Sequence, residues 1–308
     1  LRRRSRRTES ISPPVPWDPD VLRLAVATDA ETYERLGEPL ADRGIEVVHL
    51  ETTERTIPLT AGDASDDAFP ADLDVGYVFP PRDVEGAVAD TMLDIPWLVD
   101  HDDVQTSRNK AEVLARCAAA GLPVAETELV SNPVDEAAIR DAVDRVGPPV
   151  VIKPTSTTRG VGVAKVGDAD SALGVADYLD LVHDFAATGD KSFLVQSFVP
   201  DARDVRVMTI DGEYVGAVER RRDDEGWRHN VHRGAEATGI HLAPELRELA
   251  ESVAQLLDVD LLGVDLLVTD DVAVVSETNA RPTVDDASKY EPDFYDRLAA
   301  AIERTADA

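Results

Sequence analysis

With 308 residues, 43% of them hydrophobic, the chain has material for about two domains and a substantial core, which excludes a disordered polypeptide. Sixty-one acidic residues against 31 basic ones give a formal charge of -30, and such a surface repels nucleic-acid backbones and anionic membranes as principal partners. Cys117 is the lone cysteine, so neither an internal disulfide nor a cysteine metal cage is available.

Residues 1–19 hold five arginines and four prolines with little apolar pattern, and they are expected to form a mobile basic tail. The opening LRRRSRRTES lacks the apolar run of a secretory signal, and no stretch of roughly 18 apolar residues offers a membrane span. A cytoplasmic location is therefore expected. From residue 20 to 104 the texture is that of a small parallel α/β domain. LRLAVATD reads as a buried strand, ETYERLGEPLADRG as a helix ending at Gly44, and IEVVHLE as a second strand. VGYVFPPRD and IPWLVD follow as short apolar segments with helical material between them, so strands alternate with helices.

Residues 105–305 read differently, with a largely antiparallel second sheet. RNKAEVLARCAAAGLPV predicts a helix stopped by Gly121 and Pro123, with Cys117 as a small core residue. PVVIKPTS predicts a strand, followed by a small-residue loop, the strand GVGVAKV and the helix SALGVADYLDLVHDFAA. FLVQSFV, RDVRVMTID, GEYVGAVERRR and a strand pair at 262–279 complete the second sheet.

That last pair, LLGVDLLVTDDVAVVSETN, carries the strongest chemical signal. Glu277 and Asn279 are two apart and share one face of a strand. Asp265 is a lone carboxylate in the apolar partner strand. It joins that face if the connecting loop has an odd number of residues or the hairpin contains a bulge. A three-residue turn, Thr269 to Asp271, is expected, placing Asp265 opposite Val275 and diagonal to Glu277. Two carboxylates and an amide oxygen form a hard, oxygen-only site suited to Mg²⁺ (or Mn²⁺) shared with phosphate oxygens.

Lysine supplies the second signal. The chain has 26 arginines and five lysines, Lys110, Lys153, Lys165, Lys191 and Lys289. Lys153 ends a buried strand ahead of the loop Thr155 to Gly162, where Gly160 and Gly162 let backbone N–H groups approach phosphate. A chain that uses arginine so freely retains lysine at 110 and 153 where a compact ammonium is required. No G-x-x-x-x-G-K-[ST] string occurs, so this is not a Walker-type loop. The arginine bias and the acidity together suggest a salt-adapted surface and a high-salt cytoplasm. His229 and His232 lack the spacing of a zinc site and are expected to be loop residues.

Taken in order, N-K-A-E with GLPVAET, VVIKP with RGVGV, LVQSFVPDARDVRV, GAVERR with WRHNVHRGA, and GVDLL with SETN resemble RimK-like ATP-grasp amino-acid ligases. The likeness runs from about residue 105 to 282, and the unit at 20–104 looks like the domain that precedes the ATP-grasp fold in that family. The resemblance implies an ATP-grasp domain over 105–305 with two subdomains, 105–195 with the lid and 196–305 with the metal site. The resemblance implies ATP as co-substrate, with Lys110 and Lys153 on its phosphates and adenine edge. It implies that Gln196, Ser197 and Phe198 form the linker that reads adenine mainly through its backbone. Asp204 and Arg206 match a D-x-R signature, Arg220 and Asn230 match positions near the transferred phosphoryl group, and Asp265, Glu277 and Asn279 match the magnesium ligands. Ser197 stands where the family usually has Glu, Ala235 replaces a loop glycine, and Ala280-Arg281-Pro282-Thr283 replaces a small-residue stretch near the acceptor site.

The implied activity is an ATP- and magnesium-dependent ligase that forms an amide through an acyl-phosphate, with glutamate as the amino acid most expected. A coenzyme (deazaflavin or pterin) glutamyl ligase, or a nucleotide-binding regulatory protein without turnover, stays open. Expected partners are a small-molecule or peptide carboxylate and an amino acid, with no nucleic acid and no membrane, and a homo-oligomer is left open.

Overall fold

The computed structural model describes residues 21–27, 30–60, 68–155, 161–183, 192–221 and 236–308. The basic tail, Gly160, Asn230, His229, His232 and Ala235 lie outside the described residues.

The first unit is a four-stranded parallel sheet, β1 (Leu22–Val26), β2 (Ile45–His49), β3 (Val75–Val78) and β4 (Trp97–Val99), in the order β2-β1-β3-β4. Every residue of β3 is buried, because helices cover parallel sheets on both faces and such strands read as continuous apolar runs. Gly76 makes this packing possible: a Cβ there would lie 2.1 Å from the Trp97 ring. Helix α1 (Ala30–Ala41) stops three residues before Gly44, which closes the following turn at φ +78°. Pro39 inside α1 has no N–H for the carbonyl of Arg35, and the Tyr295 hydroxyl donates to that carbonyl instead, at 3.4 Å.

Helix α2 (Asp83–Leu93) joins β3 to β4, and α3 (His101–Arg108) and α4 (Lys110–Ala119) lead out of the sheet. The small lobe follows, with β5 (Thr127–Val130), α5 (Glu136–Val146), β6 (Val150–Pro154), β7 (Ala164–Val166), α6 (Ala169–His183) and β8 (Phe193–Ser197). Its antiparallel sheet runs β5-β8-β6-β7 and has a core of its own, including Ile139, Val143, Ile152 and Phe193. The strand expected over GVGVAKV is shorter than the sequence suggested, because Gly162 takes φ +74° and turns the chain before β7.

The third sheet is antiparallel, in the order β11-β10-β9-β12-β13. Its strands are β9 (Arg203–Ile210), β10 (Glu213–Arg221), β11 (Glu236–Gly239), β12 (Leu261–Val268) and β13 (Ala273–Asn279), with α7 (Pro244–Leu257) between β11 and β12. A 3-10 turn (Ala287–Lys289) and α8 (Phe294–Ala306) end the chain, and α8 packs on both β3 and β9. The parallel sheet and the third sheet thereby share one core. Boundaries placed at 104/105 and 195/196 fall inside α3 and β8; α3 and α4 both pack on β13, and Cys117 is buried in the shared core. No described helix is long and apolar enough to cross a membrane.

The β12–β13 hairpin departs from the expected register. Val268 pairs with Ala273, so the loop has four residues rather than three, and Asp265 pairs directly with Glu277 rather than with Val275. The Thr269 hydroxyl accepts from the N–H groups of Asp271 and Val272, while the Thr269 N–H meets the Val272 carbonyl at 2.8 Å. This hydroxyl closes a four-residue turn. A bulge at Ser276, between the Val275 and Glu277 pairings, then restores Glu277 to the face of Asp265.

Candidate active site

One face of the third sheet is charged over part of its length and the other is core. Val205, Val207, Val264 and Leu266 point into the core, so the alternation of β9 and β12 turns Asp204, Arg206 and Asp265 the opposite way. Arg206, Asp265 and Glu277 lie directly opposite one another across β9, β12 and β13, and Arg220 lies opposite Asp204. Asn279 is two residues beyond Glu277 and shares its face.

Asp265 is 2% exposed. Its carboxylate receives a two-pronged grip from Arg206, Nε to Oδ1 at 2.7 Å and Nη2 to Oδ2 at 2.8 Å, and a third bond from Arg220 Nη2 to Oδ2 at 2.9 Å. Arg220 also donates to Asp204 through both Nε and Nη2. Burial opposes ionisation of Asp265, but the two guanidinium groups outweigh it and hold the carboxyl well below its usual range. Asp204 goes the other way: burial pushes it up to about 6, with Arg220 opposing. For Arg220 burial disfavours the charge, and the Asp265 and Asp204 carboxylates overcome this and raise it.

Two ammonium groups approach β13 from other elements. Lys153, on β6 of the small lobe, donates to Ser276 Oγ at 3.3 Å. The bulge that fixes the hairpin parity also presents this hydroxyl to the lysine. Burial pushes the Lys153 ammonium below its usual range; Glu277 pulls it back up and Lys110 reinforces the fall. Lys110 starts α4, is 7% exposed, and sits 3.4 Å from Glu277 Oε2. Its place is fixed by the Asn109 cap on the Glu112 N–H and by its own N–H on the Thr155 carbonyl. Ser107 and Thr278 pin the preceding helix to β13 through paired hydroxyl bonds.

Four cations thus surround three carboxylates, a buried arrangement with a residual positive charge that favours a bound polyanion. Fitness for a divalent cation can be tested on Asp265. A carboxylate offers about four acceptor sites, of which the arginines fill three, leaving one on Oδ1. Asn279 Oδ1 accepts the Arg281 N–H at 3.0 Å and keeps a second lone pair. With Glu277, these oxygens suit a hard cation. Among the described residues no group of three or more His, Cys, Asp or Glu could hold a metal, so the amide of Asn279 is needed to complete the set.

Gln196 is 2% exposed and donates through its side chain to Thr127 Oγ1 at 2.8 Å. Ser197 and Phe198 are expected to read a base through their backbone. Their N–H groups already donate to the carbonyls of Glu126 and Pro149, because β8 is an interior strand of its sheet. Carbonyls, rather than these two N–H groups, are what the pair could offer a base edge. Phe198 also lies under the Lys165 ammonium, 3.4 Å from the ring centroid. Gly162 borders Pro154, which a Cβ would approach to 2.8 Å.

The grip of Arg206 and Arg220 on Asp265 was not foreseen from the sequence; its signal was the D-x-R of β9 beside the charged end of β10. Ser276 gave no signal, since alternation alone turns it away from Glu277. Arg281 is half-buried, bonds the Pro80 carbonyl at 2.5 Å, and is pushed down to about 10 by burial, with Arg108 adding and Asp83 opposing.

The family model of the RimK-like ATP-grasp domain matches residues 107–302. A probable alpha-L-glutamate ligase of Citrobacter koseri is 32% identical over 208 residues, 66% of this chain and 66% of that protein. A ribosomal protein bS6–L-glutamate ligase of Shigella boydii serotype 4 is 30% identical over 208 residues, with the same coverage of 66% and 66%. The match therefore spans 66% of the length of these curated relatives. Among solved structures, D-cycloserine synthetase DcsG has a TM-score of 0.71 at 20% identity, covering 92% of this chain and 99% of that one, a likeness of fold. The parallel sheet followed by two antiparallel sheets is the ATP-grasp architecture that the motif order implied. On the match to 107–302 and the relatives at 30–32% identity, the chain belongs to the RimK-like ATP-grasp family.

Proposed function

We propose that this chain is an ATP- and Mg²⁺-dependent ligase that joins a carboxylate to an amine through an acyl-phosphate, with glutamate as the amino acid added. One observation carries the reading: Lys153 of the small lobe reaches Ser276 beside Glu277, while Lys110 pairs with Glu277 itself. Ammonium groups on two elements thus converge on the strand that carries the candidate cation ligands. The relatives named as glutamate ligases support the choice of amino acid.

In this reading a substrate carboxylate oxygen bonds the terminal phosphorus of ATP as the bond to the departing ADP oxygen breaks. The amine nitrogen then attacks the acyl carbon, phosphate leaves, and the amine gives up a proton. Lys153 and Arg220 stabilise the phosphoryl oxygens, and Lys110 holds the polyphosphate. Asp204 and Asp265 keep Arg220 charged and oriented. Asp265, Glu277 and Asn279 would hold the cation, which supplies neutralisation of charge on the phosphate oxygens.

The test is ADP release from ATP and Mg²⁺ with a panel of amino acids and peptide or γ-glutamyl carboxylates, at low and molar salt. ADP formation that requires both an amine and a carboxylate is expected. Tight ATP binding without turnover across the panel would instead indicate a nucleotide-binding regulatory protein.

A further inference from the structure

The chain is rich in arginine and richer in acid, and its described arginines are almost all paired. Among the described residues, two arginines have no carboxylate within ion-pair distance: Arg55, which is exposed, and Arg281, which is half-buried. A half-buried guanidinium without an ion-pair partner, in a molecule of formal charge -30, calls for a structural cause or an anionic ligand. Its bond to the Pro80 carbonyl is to a neutral acceptor, and Asp83 acts on it only from beyond ion-pair distance.

The position of Arg281 favours a ligand. In the parallel sheet β2 lies on one side of β1 and β3 on the other, so the strand order reverses between β1 and β3. Open parallel sheets bind ligands outside the carboxyl ends of the strands at such a reversal. Pro80 is two residues past β3, and the segment after Asn279 lies across this end. Arg35 of α1 ties the same segment down through the Val284 carbonyl at 2.9 Å and Asp285 at 3.1 Å. Ala280 and Val284 are buried, so Arg281 projects from an anchored stretch of chain.

The charged groups around it leave a positive excess, Arg281 and Arg108 against the carboxylate of Asp83. Arg108 is close enough for its charge to act on Arg281, and it meets Asp83 loosely, at 3.6 Å. Asp83 is also taken by Gln105 at 3.2 Å. The start of α2, three residues beyond Pro80, has no side-chain cap. Meanwhile the Arg281 N–H holds Asn279 Oδ1, so the guanidinium begins beside the candidate cation ligands.

We propose that Arg281, with Arg108 behind it, anchors a carboxylate of the amine-bearing substrate and so selects an acidic amino acid as acceptor. This rests on the ligase reading above and names its specificity-determining residue. An acidic amino acid suits the position because only its amine is consumed, and both carboxylates persist to be recognised. The reacting carboxylate of the other substrate belongs at Lys153 and Arg220.

The experiment measures binding of L-glutamate and of its neutral isostere L-glutamine, with a non-hydrolysable ATP analogue and Mg²⁺ present. Wild type is expected to favour glutamate by about tenfold or more, the scale of a charge-assisted hydrogen bond. Arg281→Gln, which can still donate to the Pro80 carbonyl, should abolish that preference, and Arg281→Lys should restore part of it. An undiminished glutamate preference in Arg281→Gln overturns the proposal. So does equal weakening for both amino acids, which marks a structural role. Since the measurement is of binding, it stays separate from ADP release: a protein that shows this Arg281-dependent preference but never turns over would sink the ligase reading alone.

Discussion

Asp265 has two demands on one carboxylate. It neutralises Arg206 and Arg220 in the interior and offers its remaining acceptor site to a cation. Asp265→Asn is therefore expected to do more than stop ADP release. Removing one partner of a buried ion network leaves the others uncompensated and costs about 3–5 kcal/mol, read as a lower midpoint in urea. An unchanged midpoint would mean the arginines find other partners. Asp204 gives a pH-dependent counterpart. Its folded pKa, about 6, lies above the unfolded value of about 3.9. The folded state therefore binds the extra proton between those values, and the associated stability is present below about pH 4 and lost as pH rises through about 6. Asp204→Asn mimics the protonated form. The stability of wild type relative to this variant should fall from about pH 4 to about pH 6 and then level off, as measured by denaturation midpoints across that range.

At the scale of elements, small residues and hydroxyls decide how the strands meet. The four-residue turn closed by Thr269 and the bulge at Ser276 together bring Asp265 opposite Glu277. Neither is a property of one strand; each is a property of the pairing. The parallel sheet depends likewise on Gly76, where β3 and β4 approach too closely for a side chain. Gly76→Ala should force Trp97 from its place and destabilise the protein by about 1–3 kcal/mol, the usual scale of overpacking, read in chemical denaturation. Because α8 packs on both β3 and β9, near-ultraviolet dichroism of the displaced tryptophan should change with the same midpoint as far-ultraviolet helix content.

Across the whole molecule the charge of -30 sets the response to salt. Like charges on a compact surface repel, and screening shortens their reach from about 10 Å at 0.1 M to about 3 Å at 1 M. The melting temperature should fall when molar KCl is replaced by dilute buffer, and a melting temperature indifferent to salt would count against a salt-adapted surface. Composition made that expectation legible, just as the alternation of strands and helices made the parallel sheet legible and the order of motifs the ATP-grasp architecture. Period-two alternation placed Glu277 and Asn279 on one strand face with Asp265 as their partner, the scarcity of lysine singled out Lys110 and Lys153, and the family resemblance added Arg206 and Arg220. Local sequence could not show that Asp265 is held by two arginines, that Ser276 receives Lys153, or that the N–H groups of Ser197 and Phe198 are already donated. Those facts depend on which strands are neighbours and in what register, and the deciding pair here lies tens of residues apart in sequence: β9 pairs with β12, and Arg206 meets Asp265. Alternation is a local property that a sequence carries by itself, whereas partnership across strands exists only once the chain has folded.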